Sequence, residues 1–242
     1  MIATFTDFGL EGPYLGQVKA VLHQMAAGVP VIDLLADAPA FDPRASAYLL
    51  AALAPEMPVG AVVLAVVDPG VGGDRLPMVA AIDGRWYVGP DNGLFEPLLR
   101  RAAQARAWRI DWRPERLSSS FHGRDLFAPV AARLAAGQGP EAAGCVAMPV
   151  PRRPDWPDEL AEIVYVDHYG NAMTGVRAAS VAAGARLVAG GRTLARAGTF
   201  GDVGAGQAFW YENSSGLVEV AVNGGRADTA LSLSVGSPVS IA

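Results

Sequence analysis

Residues 61–75 read AVVLAVVDPGVGGDR, and this stretch predicts the fold of the chain around it. Seven apolar residues, four of them Val, run without a polar interruption up to Asp68. A short apolar run bounded by turn residues is typical of a strand buried on both faces, and residues 69–73 predict a tight turn that exposes backbone N–H groups. Ligands of open α/β sheets bind outside the carboxyl ends of the strands, which makes Asp68 a candidate functional carboxylate. An Asp that only caps the turn is the alternative.

The segments around this strand alternate between strand and helix. The predicted strands cover residues 2–6, 32–35, 61–67, 78–82, 85–88 and 107–110, and the predicted helices cover 13–25, 43–53, 94–103 and 126–136. Asp42 before Pro43 predicts a helix cap, and Asp83-Gly84 predicts a hairpin turn. This order predicts an α/β domain with a mixed or mostly parallel sheet and flanking helices.

A proline-rich segment divides the chain. Four prolines fall within residues 148–157, where neither a helix nor an interior strand can continue. The segment after it shows short strand patterns, a Gly190-Gly191 hairpin and an alternating strand over 216–223 with Glu219 outward. We therefore predict an N-terminal α/β domain over 1–148, a linker over 149–157 and a small C-terminal all-β domain, a sandwich or barrel, over 158–242.

The composition limits the possible partners. The 242 residues are 51% hydrophobic and carry a formal net charge of -5 without a basic block, so neither nucleic acid nor an anionic membrane is an expected partner. No apolar run reaches membrane-spanning length, and the start of the chain lacks the basic region of a signal peptide. The single cysteine, Cys145, can form no intramolecular disulfide. The expectation is a soluble, cytoplasmic protein.

Polar residues gather at predicted strand ends and turns, where function concentrates. The chain has no Gly-x-Ser-x-Gly elbow, no phosphate-loop Lys-Ser/Thr and no dinucleotide fingerprint, which disfavours those three enzyme classes. His122, between Phe121 and Gly123, is a candidate catalytic residue or an ordinary loop residue. A loose metal site of Asp68, Asp74 and His122 is a weaker alternative, because the ligand spacings typical of metal sites are absent.

Six segments become informative as a set, because they occur in one order over most of the chain. They are Thr6-Asp7-Phe8-Gly9, residues 67–72 (VDPGVG), Pro90-Asp91-Asn92-Gly93, residues 121–129 (FHGRDLFAP), residues 167–174 (DHYGNAMT) and Asn213-Ser214-Ser215-Gly216. The set resembles the S-adenosyl-L-methionine (SAM) hydroxide adenosyltransferases, or adenosine-forming SAM hydrolases, which are relatives of fluorinating and chlorinating enzymes. Each segment alone is weak evidence, whereas six in order with matching spacing are specific.

The resemblance implies a role for each matching residue. Asp68, Arg75 and His122 fall where the family surrounds the attacking water, and Asp7 where a carboxylate holds the ribose hydroxyls. The implied contacts to the rest of the substrate are Asp167 near the methionine amino group, Asn171 at the adenine edge, Phe200 against adenine, and Ser214 and Ser215 near the methionine carboxylate.

The resemblance also implies an assembly and a reaction. The family fold is an α/β domain followed by a β-barrel, and the implied homotrimer places each site between one subunit's N-terminal domain and a neighbour's C-terminal domain. The expected substrate is SAM, the expected products are adenosine and L-methionine, and neither a cofactor nor a metal is expected. Attack of water at the ribose C5′ carbon expels a neutral thioether, so catalysis requires a positioned, activated water rather than a general acid.

Several positions depart from the halogenating relatives. Those enzymes have an aromatic residue where this chain has Asp68 and a halide-binding Ser where it has Gly123, and a long insertion before residue 118 is absent here. Hydrolysis is therefore the expected activity. The alternatives are a non-catalytic SAM- or adenosine-binding protein and a halide-using adenosyl transferase. Gly175 and Ser215 depart from the usual family residues, so the contacts to the methionine carboxylate are the least defined.

Overall fold

The computed structural model describes residues 1–182 and 184–241. The chain divides into two compact units, Met1–Pro154 and Asp155–Ala242, and the division falls inside the proline-rich segment. The first unit contains the strands β1 (Ile2–Thr6), β2 (Val31–Leu35), β3 (Val62–Val66), β4 (Pro77–Ile82), β5 (Arg85–Pro90), β6 (Ala105–Ile110) and β7 (Cys145–Met148). Its α-helices are α1 (Tyr14–Met25), α2 (Pro43–Leu53), α3 (Glu96–Arg101) and α4 (Ala128–Ala135).

The first unit is built on one mixed sheet with the strand order β2-β1-β3-β5-β4-β6-β7. Strands β2, β1, β3 and β5 are parallel neighbours, whereas β4, β6 and β7 pair antiparallel. The valine-rich stretch is therefore a central strand, as its unbroken apolar run predicts. The predicted mixed sheet of an α/β fold is confirmed.

Both faces of the sheet are covered. Ile2, Leu64 and Val66 share one core cluster with the apolar sides of α1 and α4. Their neighbours along β1 and β3, such as Phe5 and Val63, point to the opposite face and are also fully buried. This double burial explains why the strand sequences are apolar throughout and show no alternation.

Two local signals fold as the sequence predicts. The carboxylate of Asp42 accepts a hydrogen bond from the Ala45 amide at 2.9 Å, which caps α2. Asp83 and Gly84 both have positive φ, 45° and 79°, which is the backbone conformation of a tight hairpin turn between β4 and β5.

The second unit is almost entirely β. Its strands are β8 (Leu160–Val166), β9 (Ala172–Arg177), β10 (Leu187–Ala189), β11 (Arg192–Leu194), β12 (Ala208–Glu212), β13 (Leu217–Val222) and β14 (Val239–Ile241), and it has one short helix, α5 (Ala227–Leu231). They form a four-stranded sheet, β12-β13-β9-β8, and a three-stranded sheet, β11-β10-β14. The bridges Glu162–Pro238 and Arg196–Trp210 connect the sheets at both ends, so the seven strands form a closed circuit around an apolar core.

Some expectations are corrected. Glu219, predicted to face outward, is only 2% exposed, because both faces of β13 are covered. The predicted helix over 126–136 starts earlier, with a π-helical turn at Gly123–Phe127 before α4. The strands β7, β9 and β14 were not predicted from the sequence, because β7 and β14 are short edge strands and β9 lies within a motif dominated by turn residues. Among the described residues, no helix combines the length and the apolar character needed to cross a membrane.

Candidate functional site

Two carboxylates lie at the same edge of the main sheet. Strands β1 and β3 are parallel neighbours with Thr6 opposite Val66, so the residues that follow them, Asp7 and Asp68, emerge side by side. Asn92, after the next parallel strand, donates its side-chain amide to the Val67 carbonyl at 2.8 Å and thereby braces the segment before Asp68. The carboxyl ends of three parallel strands therefore converge on one place, as expected of an α/β ligand site.

Arg75 joins Asp68 to His122. Its Nε lies 3.0 Å from each Asp68 oxygen, and its Nη2 lies 2.5 Å from Oδ2. The same Nη2 lies 2.8 Å from Nδ1 of His122, 47 residues further along the chain. The side chains of Arg75 and Asp68 are only 10% and 4% exposed, so this ion pair is held in a largely water-free position. The three residues predicted to surround the attacking water are in direct contact.

The loop before His122 packs onto the glycine turn after β3. Gly72 has φ of 77°, and a Cβ added there would collide with the carbonyl oxygen of Ser119. Asp125 holds the other end of the loop by accepting a hydrogen bond from the Ser118 amide at 2.8 Å. The close approach that glycine permits therefore brings His122 to Arg75.

A cavity of about 450 Å³ opens at this edge of the sheet. Its lining includes the predicted residues Asp7, Asp68 and His122 and the aromatic residues Phe8, Tyr14, Phe41 and Phe121. The rings of Phe8, Tyr14 and Phe121 contact one another, with centroids 5.3–6.2 Å apart. A Cβ added at Gly123 would lie 3.0 Å from the ring of Phe8, so the position where halogenating relatives have a serine has little room for one here.

The environment shifts the pKa values of two titratable groups in this cavity, Asp7 and His122. Desolvation raises the pKa of Asp7 above 3.8, with the nearby Asp68 charge acting in the same direction, although the Phe41 amide donates to its carboxylate at 3.1 Å. Desolvation, together with the positive charge of Arg75, lowers the pKa of His122 below 6.5. His122 is therefore a neutral imidazole at neutral pH.

The tautomer of His122 follows from its contact with Arg75. A guanidinium has donors only, so Nδ1 of His122 accepts its hydrogen bond. In the neutral ring the proton is then on Nε2, which is able to donate to an oxygen nucleophile.

The remaining predicted binding residues lie in the second unit, around a cavity of about 790 Å³. Asp167, Asn171, Phe200 and Ser214 line it. The carboxylate of Asp167 accepts hydrogen bonds from the Asn171 backbone amide at 2.8 Å and from its side-chain amide at 3.0 Å, which closes the turn between β8 and β9. Ser215 is not among the described residues that line the cavity, and its amide donates to the Asn213 side chain at 3.0 Å.

Three polar side chains beside this second cavity were not predicted as site residues. Tyr211 and Asn213 donate to the carboxylate of Glu219, and all three line the cavity. A single Glu in a valine-rich strand is typical of a solvent-facing position. The burial of Glu219 beside the cavity therefore depends on what packs on the outer face of the sheet, which the strand sequence does not show.

The weaker metal-site alternative is not supported. Within the part of the chain that the structure describes, no three His, Cys, Asp or Glu side chains gather as metal ligands would. Asp68 and His122 instead contact Arg75, whose positive charge occupies the position between them.

Comparison with sequence families gives two matches that together span nearly the whole chain. Residues 2–144 match the sequence model of the SAM hydroxide adenosyltransferase N-terminal domain, and residues 161–240 match that of the corresponding C-terminal domain.

Individual proteins also match over nearly the whole chain. A Thermus thermophilus protein named (R)-S-adenosyl-L-methionine hydrolase is 44% identical over 97% of this chain and 96% of its own length. A protein of the same name from Salinispora tropica is 39% identical, with 97% and 95% covered. A crystal structure of an uncharacterized conserved protein from Thermotoga maritima superposes with a TM-score of 0.90 at 31% identity, covering all of both chains. A conserved hypothetical protein from Thermus thermophilus gives 0.78 at 41% identity, covering 100% of this chain and 99% of its own.

Proposed function

The chain belongs to the SAM hydroxide adenosyltransferase family, and we propose on that premise that it is a SAM hydrolase that directs a water at the ribose C5′ carbon and releases adenosine and L-methionine. Its named relatives are hydrolases of the (R) epimer at sulfur, so we propose (R)-SAM as the preferred substrate. The observation that carries the proposal is the contact chain from Asp68 through Arg75 to His122, of which Asp68 and His122 line the first cavity.

The chemistry suits these three groups. The oxygen of water forms a bond to C5′ while the C5′–S bond breaks. The electron pair of the C5′–S bond goes to sulfur, which neutralises the sulfonium. One proton leaves the water for the solvent, and this proton balances the positive charge that the sulfonium loses. Asp68 has lone pairs left to accept a hydrogen bond from water, and Nε2–H of His122 and the Arg75 guanidinium stabilise developing hydroxide. The leaving methionine is a neutral thioether and needs no proton.

The binding residues divide between the two units. In this proposal Asp7 holds the ribose hydroxyls, because a carboxylate accepts two hydrogen bonds from a diol. The groups that hold adenine and methionine in the second cavity are Asp167, Asn171, Phe200 and Ser214. Ser215, which the resemblance also places near the methionine carboxylate, does not line this cavity. The homotrimer, in which a neighbour's C-terminal domain completes each site, is part of the proposal and rests on the family resemblance.

Product analysis in heavy-oxygen water tests the reaction. The purified protein is incubated separately with (R)- and (S)-SAM in H₂¹⁸O. Adenosine and methionine are then separated by chromatography, and their ¹⁸O content is measured by mass spectrometry. We expect ¹⁸O in the 5′ hydroxyl of adenosine, none in methionine, and faster turnover of the (R) epimer. Asp68→Ala, assayed in parallel, excludes a contaminating enzyme.

Three results would contradict the proposal. Adenosine that carries no label would exclude water attack at C5′. Binding of SAM with no turnover of either epimer would identify a binding protein, and a 5′-halogenated nucleoside formed at high halide concentration would identify a halide-using enzyme.

A further inference from the structure

Glu219 is a carboxyl group in an unusual place. It lies in the middle of β13, opposite Tyr211 of β12 and Met173 of β9, and is only 2% exposed. Val218 and Val220, its neighbours on the strand, point into the apolar core of the second unit. The strand alternation therefore places Glu219 on the opposite face, where the second cavity lies.

The carboxylate of Glu219 connects two walls of that cavity. One oxygen accepts a hydrogen bond from the Tyr211 hydroxyl at 2.5 Å, and the other accepts from the Asn213 side-chain amide at 2.7 Å. We call these three residues the Glu219 cluster. Its hydrogen-bond donors are both neutral, so no ion pair with a described residue accounts for the burial of this carboxyl group.

The two hydrogen-bond donors of the Glu219 cluster, Tyr211 and Asn213, contact different parts of the cavity wall. The Tyr211 ring packs on Phe200, with centroids 5.5 Å apart, and Phe200 is the ring expected to contact adenine. The Asn213 side-chain oxygen accepts hydrogen bonds from the amides of Ser215 and Leu217, both at 3.0 Å, and so shapes the turn that presents Ser214. One side chain thus fixes both an aromatic wall and a polar turn.

A buried carboxyl group is a poor device for stability alone. Burial raises the pKa of Glu219 above 4.5, which is the direction that reflects a cost for the charged form. An apolar side chain of similar size would fill the same space without that cost. Glu219 therefore serves to position the two cavity walls rather than to stabilise the strand.

We propose that Glu219 is a positioning residue for substrate, acting through Tyr211 and Asn213 to hold the Phe200 wall and the Ser214 turn in the geometry that binds SAM. The inference rests on the proposed function for the identity of the ligand. It predicts that Glu219 governs affinity, while the reacting groups Asp68, Arg75 and His122 govern turnover.

The test compares three substitutions on the same strand. Glu219→Leu removes both hydrogen bonds. Glu219→Gln keeps both, because its oxygen accepts from Asn213 and its amide donates to the Tyr211 hydroxyl, which rotates to accept. Val220→Ala is the matched control, since it weakens the core from the opposite face and lines no part of the cavity. For each, KM and kcat for (R)-SAM and the calorimetric Kd for adenosine are measured.

We expect Glu219→Leu to raise KM and the adenosine Kd about tenfold or more, which corresponds to one or two lost hydrogen bonds, with kcat changed by less than about threefold. Glu219→Gln should stay within about threefold of wild type in all three values, and Val220→Ala should leave KM and Kd unchanged. A purely structural role would instead reduce the active fraction, and hence kcat, at constant KM. That pattern in Glu219→Leu would overturn the inference.

Two further arms keep the test decisive. If Glu219→Leu does not fold, Tyr211→Phe and Asn213→Ala remove one hydrogen bond each, and an unchanged KM in both would overturn the inference. If the wild type turns over neither epimer, the proposed function fails on its own, and the adenosine Kd values decide the role of Glu219 by the same criteria. A wild type that does not bind adenosine either would overturn both.

Discussion

At the scale of single residues, the direction of one hydrogen bond defines the chemistry available to His122. Arg75 can only donate, so Nδ1 of His122 accepts and its proton is on Nε2. Asp68 neutralises Arg75 on the other side through both of its oxygens. The result is a preorganised set with a carboxylate and an N–H donor at the wall of the first cavity, which is the combination that a nucleophilic water requires.

The pH dependence of activity should report on His122. Protonation turns Nδ1 into a donor that faces the Arg75 donor, so the contact is lost as pH falls through the pKa of the folded protein. Because burial and Arg75 lower that pKa below 6.5, we expect the acid limb of kcat/KM to have its midpoint below pH 6.5. The measurement is a kcat/KM profile of wild type and His122→Gln. A midpoint above 6.5, or an identical limb in the variant, would contradict the role of His122.

Removal of Asp68 and His122 should show that they act as a unit. Each of Asp68→Ala and His122→Ala should lower kcat by about 10²–10³, because either loss disorders the same water. The double variant should be little worse than the worse single variant. Turnover is measured together with adenosine affinity, which should persist. Losses that multiply in the double variant would mean that the two residues act independently.

At the scale of elements, a glycine turn determines whether the reacting groups meet. The turn over residues 69–73 follows Asp68 and precedes Arg75, and the loop over 118–121 precedes His122. The two segments touch at Gly72 and the Ser119 carbonyl, where no side chain fits. One close backbone contact, between Gly72 and Ser119, thus brings together two segments that are far apart in the sequence.

Gly72→Ala should therefore damage both stability and catalysis. Its φ of 77° and the collision with Ser119 force the turn or the loop to move, which should cost about 1–3 kcal/mol and lower kcat at least tenfold by separating Arg75 from His122. Gly16→Ala is the control: Gly16 lies in α1 with open space around its Cβ position, so the change should be neutral or stabilising by up to about 1 kcal/mol. Chemical denaturation and turnover are measured for both. A Gly72→Ala enzyme with wild-type kcat would show that the close approach is not needed for catalysis.

At the scale of the whole molecule, the candidate site is divided. Asp7, Asp68 and His122 line a cavity of the first unit, and Asp167, Asn171, Phe200 and Ser214 line a cavity of the second. Neither set contains all the groups that the proposed reaction uses. The proposed homotrimer would complete each site with the neighbour's second unit.

Complementation between inactive subunits tests this assembly. Asp68→Ala and Asp167→Ala chains, co-expressed with different tags and purified as mixed trimers, should recover about a third of wild-type activity, because every trimer that contains both chains has one site in three with both halves intact. Asp68→Ala mixed with His122→Ala should recover none, since both changes affect the same half. No recovery in the first mixture, or a monomer with full activity in sedimentation, would rule out shared sites.

The sequence alone predicted much of the local structure and the family. Unbroken apolar runs predict strands buried on both faces, Asp42-Pro43 a helix start and Asp83-Gly84 a hairpin, and each is found, because these signals depend on neighbouring residues only. Six ordered motifs predicted the SAM hydroxide adenosyltransferase family, which the family matches confirm, and a hydrolase activity, which agrees with the names of the relatives. The assigned roles of the site residues and the trimer remain predictions.

Other features were decided by the tertiary structure. Asp68, Arg75 and His122 are joined by the packing of a loop onto Gly72, a contact across 47 residues that no local pattern encodes. The lowered pKa of His122 needs both burial and the Arg75 charge. Glu219 shows the limit most clearly: period-two alternation assigns it correctly to the face opposite the core, but whether that face meets water or a cavity wall depends on what covers the sheet. Chain neighbours determine the direction in which a side chain points, whereas distant segments determine what it meets.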